Sequence, residues 1–142
     1  MNRASVSILA LGIAVLAIAP VILATPARAD NGIQFVAMPP ISKRTDFYGG
    51  AVIPLKFQLF DSNGKTISDA TATVWVNGEP GTSSGHANMG NMFRYDVKAE
   101  MYIYNLNTKP LPAGPGSAPS TITINVVVGS TTLMENFVVS LD

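Results

Sequence analysis

The alternation of apolar side chains in residues 52–60, VIPLKFQLF, constrains the fold more than any other feature of the sequence. Every second position is apolar: Ile53, Leu55, Phe57 and Leu59. Side chains of an extended strand point alternately to opposite faces, so this pattern predicts a strand with one buried face. No stretch beyond the N-terminal segment has a comparable helical period, and the sequence therefore predicts an all-β domain.

A proline lies inside this strand. Proline has no N–H group to donate, so within a sheet it is confined to an edge, a strand start or a bulge. We expect Pro54 to lie where the strand begins pairing or kinks, beside an edge that cannot recruit another chain.

Six further segments have the composition of strands, and turn residues separate them. They are residues 33–38, 71–76, 92–97, 100–106, 121–128 and 131–141. About seven strands in roughly 110 residues is typical of an immunoglobulin-like antiparallel β-sandwich. The expected core is Ile53, Leu55, Phe57, Leu59, Val74, Val76, Phe93, Tyr95, Ile103, Ile122, Ile124, Val126, Phe137 and Val139.

The beginning of the chain has the regions of a secretory signal in order. A basic start precedes the apolar residues 8–24. The small residues Ala27 and Ala29 follow, at the two positions that signal peptidase recognises before it cleaves. We predict that residues 1–29 are a signal peptide and that 30–142 form one domain. An uncleaved membrane anchor is the alternative, because the apolar run 8–24 is just long enough for a spanning helix, which needs about 17–25 residues. Either way the domain is secreted or at the cell surface.

Charge and cysteine content exclude several classes of protein. The chain has nine basic and nine acidic residues, and without Arg3 and Arg28 the remainder has a net charge of 7 − 9 = −2. No basic stripe is available for nucleic acid, so nucleic acid is not an expected partner. Anionic lipid is equally unsupported, and contact with a membrane is expected only through an uncleaved N-terminal segment. The chain has no cysteine, so the core must stabilise the fold without disulfides.

Two blocks of the sequence resemble the PxKF module of secreted and surface proteins of bacteria and archaea. The matching residues are Pro54, Lys56 and Phe57 within VIPLKFQLFD (52–61), then FRYD (93–96) and YIYNL (102–106). The similarity covers roughly residues 45–141. It implies a β-sandwich appended to exported proteins, without enzymatic activity of its own and without a settled ligand.

One loop carries residue types that bind soft metals. His86, Met89 and Met92 follow one another at intervals of three on a Gly/Asn-rich segment. Imidazole and thioether ligands together suit Cu(I), so a copper site is one hypothesis. The alternative is that Met92 packs at the start of a strand while the other two are solvated. A serine hydrolase is not expected, because the single histidine lies on a loop beside Ser83 and Ser84 without other catalytic partners.

Three aromatic residues could form a binding surface for sugar or for protein. If Val74, Val76 and Ile103 face the core, the alternation turns Trp75, Tyr102 and Tyr104 outward. Exposed aromatic patches usually mark a contact surface. The alternative is that strand twist or a loop buries some of them. By the same alternation Lys56 lies opposite Leu55 and Phe57, and we expect its ammonium group to reach water or a carboxylate.

The segment Asp61-Ser62-Asn63-Gly64, with Asp69 nearby, offers oxygen ligands for calcium, but it lacks the length and terminal glutamate of an EF-hand loop. We expect a plain hairpin-type turn.

These observations predict an exported, non-enzymatic module for structure or interaction, of the adhesion type, whose partner is a surface protein or a polysaccharide. The alternatives are a small extracytoplasmic copper-binding protein and a carbohydrate-binding module.

Overall fold

The structure is a computed structural model that describes residues 29–142, with side chains from residue 31 onward. The predicted signal segment lies outside the described residues, apart from its last residue. The strands are β1 (Ala29–Asp30), β2 (Ile33–Ala37), β3 (Asp46–Phe47), β4 (Val52–Phe60), β5 (Thr71–Val76), β6 (Glu79–Pro80), β7 (Arg94–Asp96), β8 (Met101–Asn107), β9 (Ser120–Val128) and β10 (Thr131–Leu141).

The strands form two sheets, and the described residues contain no helix, so none that could cross a membrane. The first sheet has the order β1-β2-β4-β8-β7 and the second has the order β3-β10-β9-β5-β6. All neighbouring strands are antiparallel except β3 and β10, which are parallel. The prediction of an all-β protein built from two sheets is confirmed, and the arrangement is that of a β-sandwich.

The alternation in β4 produces the expected buried face. Ile53, Leu55 and Phe57 are fully buried, while the residues between them are half-buried. Phe57 stacks on Phe35 of β2 and on Tyr102 of β8, with ring centroids 4.6 and 4.9 Å apart. Offset aromatic stacking of this kind adds to the free energy of area burial. The motif phenylalanine therefore lies at the centre of the first sheet's inner layer.

The position of Pro54 follows from where β2 ends. β8 pairs with β4 from Val52 to Phe57, whereas β2 pairs with β4 only from Phe57 onward. Beside Pro54, β4 therefore has a partner strand on one side and an open edge on the other. The ladder to β8 runs through Pro54 without a break, so the missing N–H group falls on the open side. Pro54 thus lies beside an edge of β4, as expected, but pairing with β8 begins two residues earlier, at Val52.

The core matches the prediction except on β8. Val74, Val76, Ile122, Ile124, Val126 and Val139 are buried, Phe93 is buried between the sheets, and Tyr95 and Phe137 are partly buried against the core. The prediction that Ile103 faces the core is wrong. The inner face of β8 instead carries Tyr102, Tyr104 and Leu106, all at most 2% exposed.

The predicted strand at 92–97 is shorter because the chain changes sheets there. Asn91 and Phe93 hydrogen-bond to β5 of the second sheet, and Met92 bridges Thr73 on the same strand. The chain then joins the first sheet as β7, which pairs with β8. This crossing links the two sheets and brings the end of the 77–91 loop against the second sheet's edge.

Candidate binding face

The outer face of the second sheet is formed by β5, β9 and β10, whose inward residues fill the core. We call the outward-facing set on these three strands the neutral face. Its members are Thr71, Thr73, Trp75, Thr121, Thr123, Asn125, Val127, Thr132, Met134, Asn136 and Val138.

The strand register arranges these side chains in rows across the sheet. One row runs from Thr73 through Asn125 to Met134, and Met92 extends it at the edge. The next row begins at Trp75, with Pro80 of β6 beside it, and continues through Thr123 and Asn136. Neighbouring columns are about 4.8 Å apart and successive rows are about 6.6 Å apart. The neutral face is therefore a grid of alternating hydroxyl, amide and apolar groups.

Hydrogen bonds hold some of these side chains in place. The Thr123 hydroxyl donates to the Asn136 amide oxygen at 2.7 Å, and the Trp75 indole N–H donates to the Thr73 hydroxyl at 3.2 Å. The amide oxygen of Asn125 is buried and has no hydrogen-bond partner among the described residues. An unpaired buried acceptor is uncommon in folded proteins, where most such groups are satisfied. The centre of the neutral face thus has an unused acceptor.

No ionisable residue lies on the neutral face within the described strands β5, β9 and β10. Glu135 lies on β10 itself but alternates with Met134 and Asn136, so it belongs to the inward-facing set; Asp46 and Glu79 lie on the short flanking strands β3 and β6. The outward positions of these three strands therefore carry no formal charge.

The outer face of the first sheet differs from this surface. Lys56, Ile103 and Arg94 lie side by side across β4, β8 and β7, and Arg94 forms an ion pair with Asp96 at 3.8 Å. Lys56 is half-buried on this face, opposite the buried Leu55, as predicted. The two outer faces thus differ in charge although both belong to the same small domain.

Exposed apolar side chains on the neutral face lie along β9 and β10. Val127 is 41% exposed, Met134 53% and Val138 56%. Val127 and Met134 lie in neighbouring rows and Val138 lies two rows beyond Met134, so they are separate apolar points among the polar groups of the face, as is common on protein surfaces.

Only one of the three aromatic residues predicted at the surface is on a surface. Trp75 is half-buried on the neutral face, whereas Tyr102 and Tyr104 are buried. The prediction that these two tyrosines face outward is wrong, because the face of β8 that carries them is the one that lies against the core. The sequence contains the signal for the correct orientation, since Leu106 shares their alternation and the polar Asn105 lies between.

The buried tyrosine hydroxyls are satisfied by backbone groups. Tyr102 donates to the Ile67 carbonyl at 2.8 Å and accepts from the Ala70 N–H at 3.0 Å. Tyr104 lies 2.7 Å from the Gly90 carbonyl and 3.0 Å from the Gly81 carbonyl. Burial raises the pKa of Tyr102 and of Tyr104 above the ordinary value of 10.0, because the phenolate would be poorly solvated there. Both tyrosines serve the core and the attachment of loops.

The loop with His86, Met89 and Met92 has one buried residue of its own that attaches it to the core. Asn88 is 7% exposed, and its amide donates to the Met92 and Ile103 carbonyls and accepts from the Asn105 N–H. Met89 and Met92 are the ends of one turn, closed by the Met92 N–H bond to the Met89 carbonyl at 3.0 Å. Met89, Met92 and His86 are all exposed.

The serine beside His86 is engaged with backbone. The Ser83 hydroxyl donates to the carbonyls of Gly85 and Asn88, each at 3.5 Å. A nucleophilic serine needs its hydroxyl directed at a base, so this geometry does not assemble a catalytic pair.

The Asp61 segment forms a turn stabilised by its own carboxylate. The Asp61 carboxylate accepts from the backbone N–H groups of Asn63 and Lys65, both at 2.9 Å. Among the described residues, no group of three or more His, Cys, Asp or Glu side chains could hold a metal ion. The expectation of a hairpin-type turn is confirmed.

A cleft of about 590 Å³ opens between β2, residues 41–45 and β10. Its apolar walls include Phe35, Ile41 and Phe137, and Lys43 and Arg44 line its rim. None of the residues singled out in the sequence as candidate ligands or binding aromatics lines it.

Most members of the neutral face were not recognised in the sequence. The signal was available, because the polar halves of residues 71–76, 121–128 and 131–141 contain threonine, asparagine and tryptophan but no charge. Identifying a common surface also required knowing that these strands are neighbours in one sheet, which the alternation alone does not give.

A comparison with protein-family models and with the sequences of characterised proteins finds no match to this chain.

Proposed function

We propose that this chain is an exported, non-enzymatic module of the immunoglobulin-like class that binds a partner at the cell surface or outside the cell through the neutral face. The observation that supports the proposal most is the absence of charged side chains from the outward positions of the three strands of that face. The N-terminal residues, with their signal-like order, support export.

The strand order supports the immunoglobulin-like class. In constant-type immunoglobulin domains one sheet has the strands A-B-E-D and the other has C-F-G. The order β2-β4-β8-β7 corresponds to the first, and β5-β9-β10 corresponds to the second. Membership of the PxKF family is part of the same proposal. Each motif residue has a distinct place, with Pro54 at an open edge, Lys56 outward and Phe57 in the core.

A non-enzymatic role is supported by the surroundings of the single histidine. His86 is exposed on a loop, and the nearby Ser83 hydroxyl donates to backbone carbonyls. Catalysis needs groups held in mutual hydrogen-bonding geometry, usually in a concave site. The neutral face presents hydroxyl, amide and apolar groups instead, which suits binding.

The neutral face can be tested with a matched pair of charged variants. Asn136 and Gln34 are both exposed amides on strands, but Asn136 belongs to the neutral face and Gln34 to the outer face of the first sheet. We expect Asn136→Lys to weaken binding of the purified chain to native cell envelopes at least tenfold, while Gln34→Lys leaves it unchanged. Equal loss in both variants, or no binding by the unaltered chain, would contradict the proposal. Mass spectrometry of the exported chain tests cleavage after Ala29.

A second proposed function, Cu(I) binding, is favoured by the turn between Met89 and Met92. The ends of such a turn lie within about 7 Å at their Cα atoms. Both thioethers and His86 are exposed, and they are of the types that Cu(I) prefers. Stoichiometric uptake of Cu(I) that is lost in His86→Ala would support this function. Equal uptake by the two proteins would remove it.

A further inference from the structure

We propose that the ligand of the neutral face is a neutral polysaccharide, which lies across β5, β9 and β10. This inference rests on the proposed function and names the class of its partner. Three properties of the face point to this ligand: its lack of charge, the hydrogen-bonding groups in its rows and the position of its single indole.

The lack of charge selects the ligand class. An anionic glycan or an acidic peptide brought onto this face would lose water from its carboxylates without gaining a cationic partner, because none lies on these described strands. A cationic partner would meet the same cost, because Glu135 of β10 alternates with the outward-facing residues and does not belong to the face. An uncharged chain of sugars can exchange its water for the hydroxyl and amide groups of the face at a much smaller cost.

The rows offer hydrogen bonds at regular intervals. Hydroxyl groups of Thr73 and Thr123 and amides of Asn125 and Asn136 occupy two neighbouring rows about 6.6 Å apart. Threonine and asparagine side chains both donate and accept, as sugar hydroxyls do. Four rows along the strands span about 20 Å. A surface of this length suits an extended oligosaccharide better than it suits a single small molecule.

The unpaired amide oxygen of Asn125 fits the same ligand. Asn125 lies between Thr73 and Met134 in its row, and its oxygen is buried without a partner. The Met134 side chain is half exposed and unbranched, so it can move aside at small cost. A sugar hydroxyl that enters at this point supplies the missing donor.

Trp75 provides the apolar contact that sugar rings require. Its indole N–H is fixed by the Thr73 hydroxyl, and Pro80 pairs with it across the strand. Sugar rings carry C–H groups on their faces and hydroxyls at their edges, so a ring can lie on the indole while its hydroxyls reach Thr123. The aromatic side chain combines a large apolar surface with a fixed orientation.

The decisive experiment separates glycan from protein on the partner side. Binding of the full chain, purified as the expressing cells process it, is measured on three native envelope preparations: untreated, digested with a broad protease, and oxidised with periodate, which cleaves vicinal diols of sugars. We expect binding to survive the protease and to fall at least tenfold after periodate. Binding that is lost with protease and survives periodate would overturn this inference and leave the proposed function standing. No binding to untreated envelopes would remove both.

The class of glycan is tested by the emission of the only tryptophan in the chain. Trp75 reports on the neutral face, so soluble β-glucan, mannan and chitin oligomers serve as neutral probes, and alginate serves as the anionic probe. We expect at least one neutral probe to shift the emission with saturation, with at least tenfold weaker binding by Asn136→Lys and unchanged binding by Gln34→Lys. A saturating response to alginate that exceeds every neutral probe would overturn the inference.

Discussion

The Tyr104 hydroxyl lies 2.7 Å from the carbonyl oxygen of Gly90, and this contact joins the core of the first sheet to the long 77–91 loop. The ring of Tyr104 is fully buried and packs at 5.4 Å from the ring of Phe93, where the chain crosses between sheets. The loop that precedes the crossing is therefore attached to the core by a side chain as well as by the backbone.

Replacement of Tyr104 by phenylalanine should destabilise the protein by roughly 1–3 kcal/mol, because the carbonyls of Gly81 and Gly90 lose a donor that water cannot readily replace. The ring packing is kept, so the fold should remain. Urea unfolding measures the free energy, and hydrogen exchange should show faster opening in the loop than in β9. Unchanged stability would mean that water satisfies both carbonyls.

Asn88 should be the second attachment point of the loop. In Asn88→Ala, two carbonyls and the Asn105 N–H lose their partner, and we expect a loss of roughly 2–3 kcal/mol for this network. The neighbouring exposed Met89→Ala serves as the control and should change stability by less than about 0.5 kcal/mol. Equal urea midpoints for the two variants would contradict the assigned role of Asn88.

Stability should fall in alkali because of the buried tyrosines. Burial raises the pKa of Tyr102 and of Tyr104 in the folded state, so unfolding releases protons more readily above the ordinary value of 10.0. The contribution is fully present below pH 10.0 and is lost as the pH rises through the folded-state pKa. Urea midpoints measured across this range should decline, and the decline should be smaller in Tyr104→Phe. A midpoint independent of pH would exclude this linkage.

Pro54 should protect an edge and add little stability. A valine there restores an N–H group on the open side of β4, where β2 has already ended. We expect Pro54→Val to change the unfolding free energy by less than about 1 kcal/mol and to increase self-association, as seen by sedimentation. A large loss of stability without association would show that the proline acts inside the fold.

The sequence predicted the strands better than it predicted their orientation. In β4 and β9 one set of alternate positions is almost entirely large and apolar while the other includes the polar residues, so both the strand and its buried face could be inferred. In β8 both sets of alternate positions carry large apolar groups, so the pattern does not decide which set is inward. Tyr102 and Tyr104 can be buried because their hydroxyls find backbone partners.

The neutral face was predictable only in part. The outward direction of Trp75 follows from Val74 and Val76 within one strand. The identity of its neighbours on the face does not follow from the strand, because Thr123 and Asn136 lie beside it through pairing of segments that are distant in sequence. Local alternation carries no information on which strands are adjacent, and so a surface shared by three strands emerges only with the register.

Oxidative footprinting of the chain bound to native envelopes tests the neutral face most directly, because two exposed methionines act as internal reporters. Met134 lies on the neutral face at 53% exposure, and Met89 lies on the 77–91 loop at 83%. We predict that binding slows oxidation of Met134 and Trp75 several-fold and leaves Met89 unchanged. Protection of Met89 with no protection of Met134, or protection confined to the cleft beside Phe137, would show that the neutral face is not the binding surface.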